Sequence, residues 1–106
     1  MLVFLNVMLK DIDGLDLKDD RKDQPLTLKA SILSALTANY RGEESLDGVE
    51  KLKRWELALK VKNASDPTEL TVEEIVEIKK LISKLFGTVV VGQTYKLLES
   101  GGAKKE

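Results

Sequence analysis

The residues with the most obvious capacity for chemistry are six aspartates that follow the apolar N-terminus. They are Asp11, Asp13, Asp16, Asp19, Asp20 and Asp23. Oxygen ligands at alternate positions suit Ca²⁺, but a calcium loop of the EF-hand type also needs glycine at its sixth position and glutamate at its twelfth. Counted from Asp11, Gly14 is fourth and Lys22 is twelfth. We therefore predict a solvated turn and loop that hold no metal ion.

A second candidate site is a run of basic residues around the single tryptophan, Trp55. The basic residues, all on one predicted helix, are Lys51, Lys53, Arg54, Lys60 and Lys62. Such a face can contact phosphates while the indole stacks on a base. However, Trp55 belongs to the apolar stripe of that helix, where core packing is its commoner fate, and Glu50 and Glu56 dilute the positive charge. Nucleic-acid binding is kept as an alternative.

Catalytic groups are scarce in this sequence. It contains no histidine and no cysteine, which excludes the usual general base at neutral pH, thiol nucleophiles, disulfides and the commonest zinc ligands. Adjacent glutamates such as Glu73 and Glu74 point about 100° apart on a helix and do not form a catalytic pair. The glycine-bounded run 87–92 lacks the Gly-Lys-Ser/Thr ending of a phosphate loop. We predict a protein that is not an enzyme and has no cofactor or small-molecule substrate.

An apolar surplus near the C-terminus is the remaining candidate site. Its residues are Val89, Val90, Val91 and Tyr95. Together they supply more apolar surface than one inward helix face requires, so they can form an exposed patch for a protein partner or a second copy. The alternative is that the N-terminal hairpin covers them. The β-branched run also leaves open whether residues 88–91 form a helix or a short strand.

Length and composition place these residues in one small globular domain. The chain has 106 residues, 42% of them hydrophobic and 33% charged, with a formal net charge of −1. This balance disfavours nucleic-acid or membrane binding driven by overall charge. The apolar start, residues 1–9, is too short to span a bilayer and lacks the layout of a signal peptide. We predict a cytoplasmic protein without membrane contact, globular over 1–99 and disordered over 100–106.

The predicted architecture is mainly α (α+β), with about four helices and an N-terminal β-hairpin. Bulky β-forming residues near the start and a turn at Asp13-Gly14 predict the hairpin over about 2–18. The charged segment Lys18–Pro25 is predicted to be a loop. Helical spacing of apolar residues predicts helices over about 28–39, 47–63, 71–86 and 89–99.

Capping residues mark the starts of three of these helices. Thr27 is the expected N-cap of the first, and Asp47 with Glu50 has the spacing of a capping box at the second. Thr71 with Glu74 gives the clearest capping box, at the start of the third helix.

The predicted inward face of each helix follows from the same spacing. In the first helix it comprises Leu28, Ile32, Leu33 and Leu36, extended by Tyr40. In the second it comprises Val49, Leu52, Trp55 and Leu59, widened by Leu57 and Val61. In the third it comprises Ile75, Ile78, Ile82 and Leu85, with Val72, Leu81 and Phe86 beside it.

Three stretches resemble small proteins encoded by tailed bacteriophages and prophages. They are GVEKLKRWELALKV (48–61), ELTVEEIVEIKKLISKLF (69–86) and VVVGQTYKLLE (89–99). The hairpin-like acidic start followed by a sequence similar to TLKASILSAL also resembles these proteins. The resemblance covers about the C-terminal half of the chain. It implies a virion or assembly component, or a factor that binds a host protein in the bacterial cytoplasm, and it assigns no catalytic residues.

These observations favour a non-enzymatic protein-interaction module that binds a host or virion protein through a helical face. One alternative is a small nucleic-acid-associated regulator that uses the basic second helix. Another is a homo-oligomeric structural or assembly component of a phage.

Overall fold

Helices account for most of the described chain. The computed structural model describes residues 2–19, 24–38, 40, 47–65 and 67–100. The helices are α1 (Leu28–Thr37), α2 (Gly48–Asn63), α3 (Val72–Leu85) and α4 (Thr88–Ser100). The strands are β1 (Leu2–Val3), β2 (Lys18–Asp19), β3 (Gln24–Pro25) and β4 (Thr68–Glu69). The mainly α architecture of four helices with an N-terminal hairpin is confirmed.

The glycine of the hairpin turn, Gly14, adopts a left-handed backbone conformation. Gly14 has a φ of 87°, which a residue with a side chain adopts only at a cost. Across the two arms, the amide of Leu17 donates to the carbonyl of Leu9 at 2.9 Å. Lys10 and Asp16 form an antiparallel bridge nearer the turn.

The first strand pairs with a distant part of the chain rather than with the second arm of the hairpin. β1 lies antiparallel to β4, so that Val3 faces Thr68. Further along, the amide of Leu28 donates to the carbonyl of Val7 at 2.8 Å and joins this segment to the start of α1. The N-terminal segment therefore contacts both the start of α1 and β4, the strand between α2 and α3. These parts are far apart in the sequence.

The prediction of a loop over Lys18–Pro25 is wrong at both of its ends. β2 and β3 pair antiparallel, with Lys18 opposite Pro25 and Asp19 opposite Gln24. Proline has no amide to donate, but its fixed φ is compatible with an extended strand at a sheet edge. Residues 20–23, between the two strands, lie outside the described residues.

The predicted caps of α1 and α3 are present. The amide of Ala30 donates to the Thr27 hydroxyl at 3.0 Å. At α3, the amide of Glu74 donates to the Thr71 hydroxyl at 3.1 Å, and the amide of Thr71 donates to the Glu74 carboxylate at 2.8 Å. These reciprocal bonds satisfy two donors that the helix geometry would leave unpaired.

The cap of α2 is simpler than predicted. The Asp47 carboxylate accepts the amide of Val49 at 3.1 Å. Glu50, expected to complete a capping box, instead forms an ion pair with Lys53 at 3.3 Å. α1 ends at Thr37 with Ala38 as its C-cap, about two residues before its predicted end at residue 39.

The valine run after Gly87 is helical, so the alternative of a strand over 88–91 is wrong. The amide of Val91 donates to the carbonyl of Gly87 at 3.0 Å, and α4 continues to Ser100. Each β-branched residue lowers helix propensity by less than about 1 kcal/mol, which packing of an apolar face outweighs. Leu98 is fully buried and Val91 packs against the core. Residues 101–106, most of the predicted tail, lie outside the described residues.

One apolar cluster joins the N-terminal segment to all four helices. Its largest fully buried side chains include Leu5, Leu28, Ile32, Leu70, Ile78, Leu81, Ile82 and Leu98. The inward face predicted for α1 is confirmed, with Leu33 and Tyr40 at its partly buried edge. In α3 the prediction is wrong for Leu85 and Val72, which are exposed, whereas Leu81 is buried as expected.

Candidate functional site

The outward side of α2 carries a stripe of four large apolar side chains, here called the α2 stripe. They are Val49, Leu52, Trp55 and Leu59. Their exposed fractions are 56%, 53%, 56% and 37%, in that order. The sequence-based prediction placed this stripe in the core, and that prediction is wrong.

The core face of α2 is formed by a different set of residues. They are Arg54, Leu57, Ala58 and Val61. Successive residues of a helix are rotated by about 100°, so residues two positions apart lie about 200° apart. Leu57 follows Trp55 by two positions and Val61 follows Leu59 by two. The α2 stripe therefore lies on the side of the helix opposite to the core.

Charged residues border the α2 stripe on both sides, and the exposed Glu56 is among them, about 40° from Leu52 around the helix. On one side, Lys53 pairs with Glu50 at 3.3 Å and Lys60 pairs with Glu74 of α3 at 2.8 Å. On the other side, Lys51 and Lys62 lie within about 40° of Trp55 around the helix. Both are exposed, and neither forms an ion pair within the part of the chain that the structure describes.

Arg54 points into the molecule rather than towards solvent. Its Nε donates to Oε2 of Glu77 at 3.3 Å, and its guanidinium carbon lies 5.9 Å from the centre of the Tyr40 ring. Since its side chain is only 10% exposed, it is a structural cation that links α2 to α3. The five basic residues predicted as a nucleic-acid face therefore do not converge on one surface.

A cleft of about 410 Å³ lies between α2 and α3. Its lining is mostly charged and includes Lys53, Arg54 and Lys60 opposite Glu73, Glu74 and Glu77. Ion pairs across the cleft join the two helices at Arg54 and at Lys60. Among the described residues, no group of three or more acidic side chains is placed to hold a metal ion.

The environment of Glu74 shifts the pKa of its carboxyl group. Partial burial raises its pKa and is the largest single effect. Hydrogen bonds from Lys60 and from the amide and hydroxyl of Thr71, with the positive charge of Lys60, together outweigh burial. The net result is a pKa below the ordinary value of a glutamate. This shift reflects capping and helix pairing, since Glu74 serves both.

The apolar patch predicted near the C-terminus is not a single outward surface. Val89 is exposed, but Val91 packs against the core. Val90 and Tyr95 are half-buried. The Tyr95 hydroxyl donates to the carbonyl of Lys79 at 3.2 Å, and the Lys79 ammonium lies 5.3 Å from the ring centre.

The N-terminal segment lies beside this helix and covers part of it. The amide of Lys10 donates to Oε1 of Gln93 at 2.8 Å, and β1 contacts α4. These contacts place the N-terminal segment against α4, and the covering of Val89, Val90 and Val91 by the hairpin stays a prediction.

The acidic turn uses its carboxylates to hold its own backbone. The Asp11 carboxylate accepts the amides of Asp13 and Leu15 at 2.9 and 3.0 Å. Asp16 forms an ion pair with Lys10. These bonds account for two of the six aspartates, while residues 20–23 lie outside the described residues.

Sequence reasoning identified the α2 stripe but assigned it to the wrong environment. The sequence did carry a signal of this error, because α2 has two apolar faces. Leu57 and Val61 lie on one face and the α2 stripe lies on the other, although packing against a core needs only one face. A second signal was missed at the hairpin, where Ile12 and Leu15 flank a turn that usually carries polar residues.

Comparison with known proteins adds no further assignment. No protein-family model matches the chain, and no curated protein or solved structure shows significant similarity to it. Within the described ranges, none of the helices combines the length and apolar character needed to cross a membrane.

Proposed function

We propose that this protein is a non-enzymatic module that binds other proteins, and that the α2 stripe is its contact surface. The observation that supports this proposal is the position of four large apolar side chains on the side of α2 opposite to the core. The core face of α2 is already complete without them. An exposed apolar stripe of this kind favours association with a partner that removes it from water.

The size of the stripe suits a modest interface. An aromatic side chain offers about 150–250 Å² and aliphatic ones offer less, so one tryptophan and three aliphatic side chains near half exposure offer at most on the order of 400 Å². A stable complex typically buries about 800 Å² on each partner. The α2 stripe alone therefore fits a weak or transient complex, in which a short apolar segment lies along the helix.

The charge beside the stripe selects the partner's chemistry. Lys51 and Lys62 border Trp55 and have no ion pair within the described parts of the chain. A partner with acidic residues beside its apolar ones would meet opposite charge there, whereas a basic partner would be repelled. We therefore infer an amphipathic partner segment with acidic residues on the side that faces Lys51 and Lys62.

Nucleic acid is a less suitable ligand for this surface. The exposed indole of Trp55 can stack on a base, which favours the alternative function. However, Arg54 is buried against Glu77, and Lys53 and Lys60 are held by glutamates. Phosphate contacts beside Trp55 would fall mainly to two lysines, which gives little affinity at physiological salt.

A synthetic amphipathic helical peptide with leucines at helical spacing and glutamates beside them tests the proposal. Trp55 is the single tryptophan, so its fluorescence reports the binding directly. We expect saturable binding below about 1 mM, weakened about tenfold or more by Leu52→Ser. The matched control Val76→Ser, at an exposed valine of α3, should leave binding unchanged.

Three results would count against the proposal. They are the absence of saturable binding, equal affinity of the Leu52→Ser protein, and equal affinity for a peptide whose glutamates are replaced by lysines. Stronger and salt-sensitive binding of a single-stranded oligonucleotide would instead support the nucleic-acid function. A host or virion protein as partner, a phage origin and a cytoplasmic location stay predictions.

A further inference from the structure

The tip of the hairpin is a second exposed apolar feature. Ile12 is 87% exposed and Leu15 is 67% exposed, the first being the most exposed large apolar side chain of the described residues. The turn itself requires Gly14, for its positive φ, and Asp11, for its side-chain hydrogen bonds. Polar residues would serve the turn equally well at the positions of Ile12 and Leu15. Their apolar character therefore has no explanation within the fold.

The hairpin tip carries a net negative charge. Asp16 is paired with Lys10, which leaves Asp11 and Asp13 without a compensating cation on the turn. The Asp11 carboxylate accepts two amides, and those bonds hold it in place without cancelling its charge. The tip is thus an apolar segment with acidic neighbours, which is the chemistry that suits the α2 stripe.

We propose that a second copy of this chain supplies the partner segment, with the hairpin tip of one copy docking on the α2 stripe of the next. This inference rests on the proposed function, because it uses the same stripe. Ile12 and Leu15 would cover Leu52 and Trp55, and the acidic turn would face the lysine side of α2. The tip and the stripe are different surfaces, so the contact is head to tail. Each assembly of two or more copies therefore has an unoccupied tip at one end and an unoccupied stripe at the other.

A symmetric contact of stripe against stripe fits the charges less well. Two antiparallel copies of α2 would bring the same lysine-bearing side of both helices together. Lys51 of one copy would then approach Lys62 of the other, and like charges oppose such pairing. A contact of tip against stripe joins opposite charges instead.

The two contacting surfaces are small, so we expect weak association that grows with concentration. Sedimentation equilibrium on the full chain should show monomer at about 10 µM and an average mass above that of the monomer at about 1 mM. Added salt should reduce the association several-fold, because the charged borders are exposed. A monomer mass at 1 mM would overturn the inference.

Complementation between two variants tests the head-to-tail geometry. The stripe variant Leu52→Ser/Leu59→Ser keeps an intact tip, and the tip variant Ile12→Ser/Leu15→Ser keeps an intact stripe. Each alone should remain monomeric at 1 mM, while an equal mixture should form a dimer that grows no further. All four substituted positions are exposed, so the fold should be kept, and unchanged circular dichroism checks this. Val76→Ser, a serine substitution at an exposed valine outside both surfaces, is the control and should associate like the wild type.

Other outcomes separate this inference from the proposed function. Self-association of the tip variant alone would show a symmetric stripe contact and overturn the head-to-tail arrangement. A mixture that stays monomeric would overturn it as well. If the acidic peptide still binds the wild-type stripe in either case, the protein-binding function stands and only the identity of the partner is wrong.

Discussion

Glu74 uses a single oxygen, Oε1, for two tasks. That oxygen accepts the amide of Thr71 at the start of α3 and the ammonium of Lys60 from α2, both at 2.8 Å. The first bond completes the capping box, and the second joins two helices across the cleft. Both bonds favour the charged carboxylate, which is why its pKa falls despite the opposing effect of burial.

The lowered pKa of Glu74 predicts a loss of stability in acid. The folded protein binds the proton less readily than the unfolded chain, so this contribution is complete above the ordinary pKa of 4.5 and is lost as the pH falls through the folded-state pKa. Glu74→Gln removes the contribution at every pH. We therefore expect the free energy of unfolding of the wild type and the variant to differ near neutrality and to converge in acid.

Urea unfolding at pH 7 and at several values below 4.5 measures this convergence. Glu73→Gln is the matched control, because it removes a negative charge from the same turn while leaving the capping box intact. Because the bonds of Glu74 are intact in this control, its loss of stability in acid should follow that of the wild type. A constant gap between the Glu74→Gln protein and the wild type would show that these bonds do not determine the acid stability.

At the scale of elements, α2 has two apolar faces with different roles. Leu57 and Val61 are buried against the core, whereas Leu52 and Trp55 face water. Periodicity identifies an apolar face but does not say which neighbour covers it. When one helix has two candidate faces, the packing of the other helices determines which of the two is buried.

Leucine truncation on the two faces should therefore have very different costs. Leu57→Ala removes a buried side chain and should lower the free energy of unfolding by about 2–4 kcal/mol. Leu52→Ala, in the same helix and of the same chemistry, should change it by less than about 0.5 kcal/mol. Urea unfolding followed by circular dichroism measures both, and equal costs would place Leu52 in the core.

Features set by neighbouring residues could be predicted from the sequence, and those set by distant packing could not. The caps at Thr27 and Thr71 depend on residues within one turn, and both were predicted correctly. The pairing of β1 with β4 joins distant segments and leaves no mark in the local pattern. The candidate site was misjudged for the same reason, because the exposure of the α2 stripe depends on where the other helices pack.

At the scale of the whole molecule, the two-residue strand β1 contributes to the same core as the helices. Val3 of β1 is fully buried in the cluster that contains Leu28 of α1, Val61 of α2 and Leu98 of α4. β1 also contacts α4 directly. The first and last described elements of the chain therefore share buried surface, which favours a single cooperative unfolding transition.

Val3→Ala tests this cooperativity. It should lower the free energy of unfolding by about 2 kcal/mol, since it removes two buried methyl groups. If the core is one unit, native-state hydrogen exchange should show the same loss of protection for the slowest amides of α1, α3 and α4 as for those beside β1. Leu2→Ala, at the exposed neighbouring position of β1, should leave all of these amides unchanged. Faster exchange confined to β1 and β4 would instead show that the N-terminal segment opens independently and that the helices form a stable unit without it.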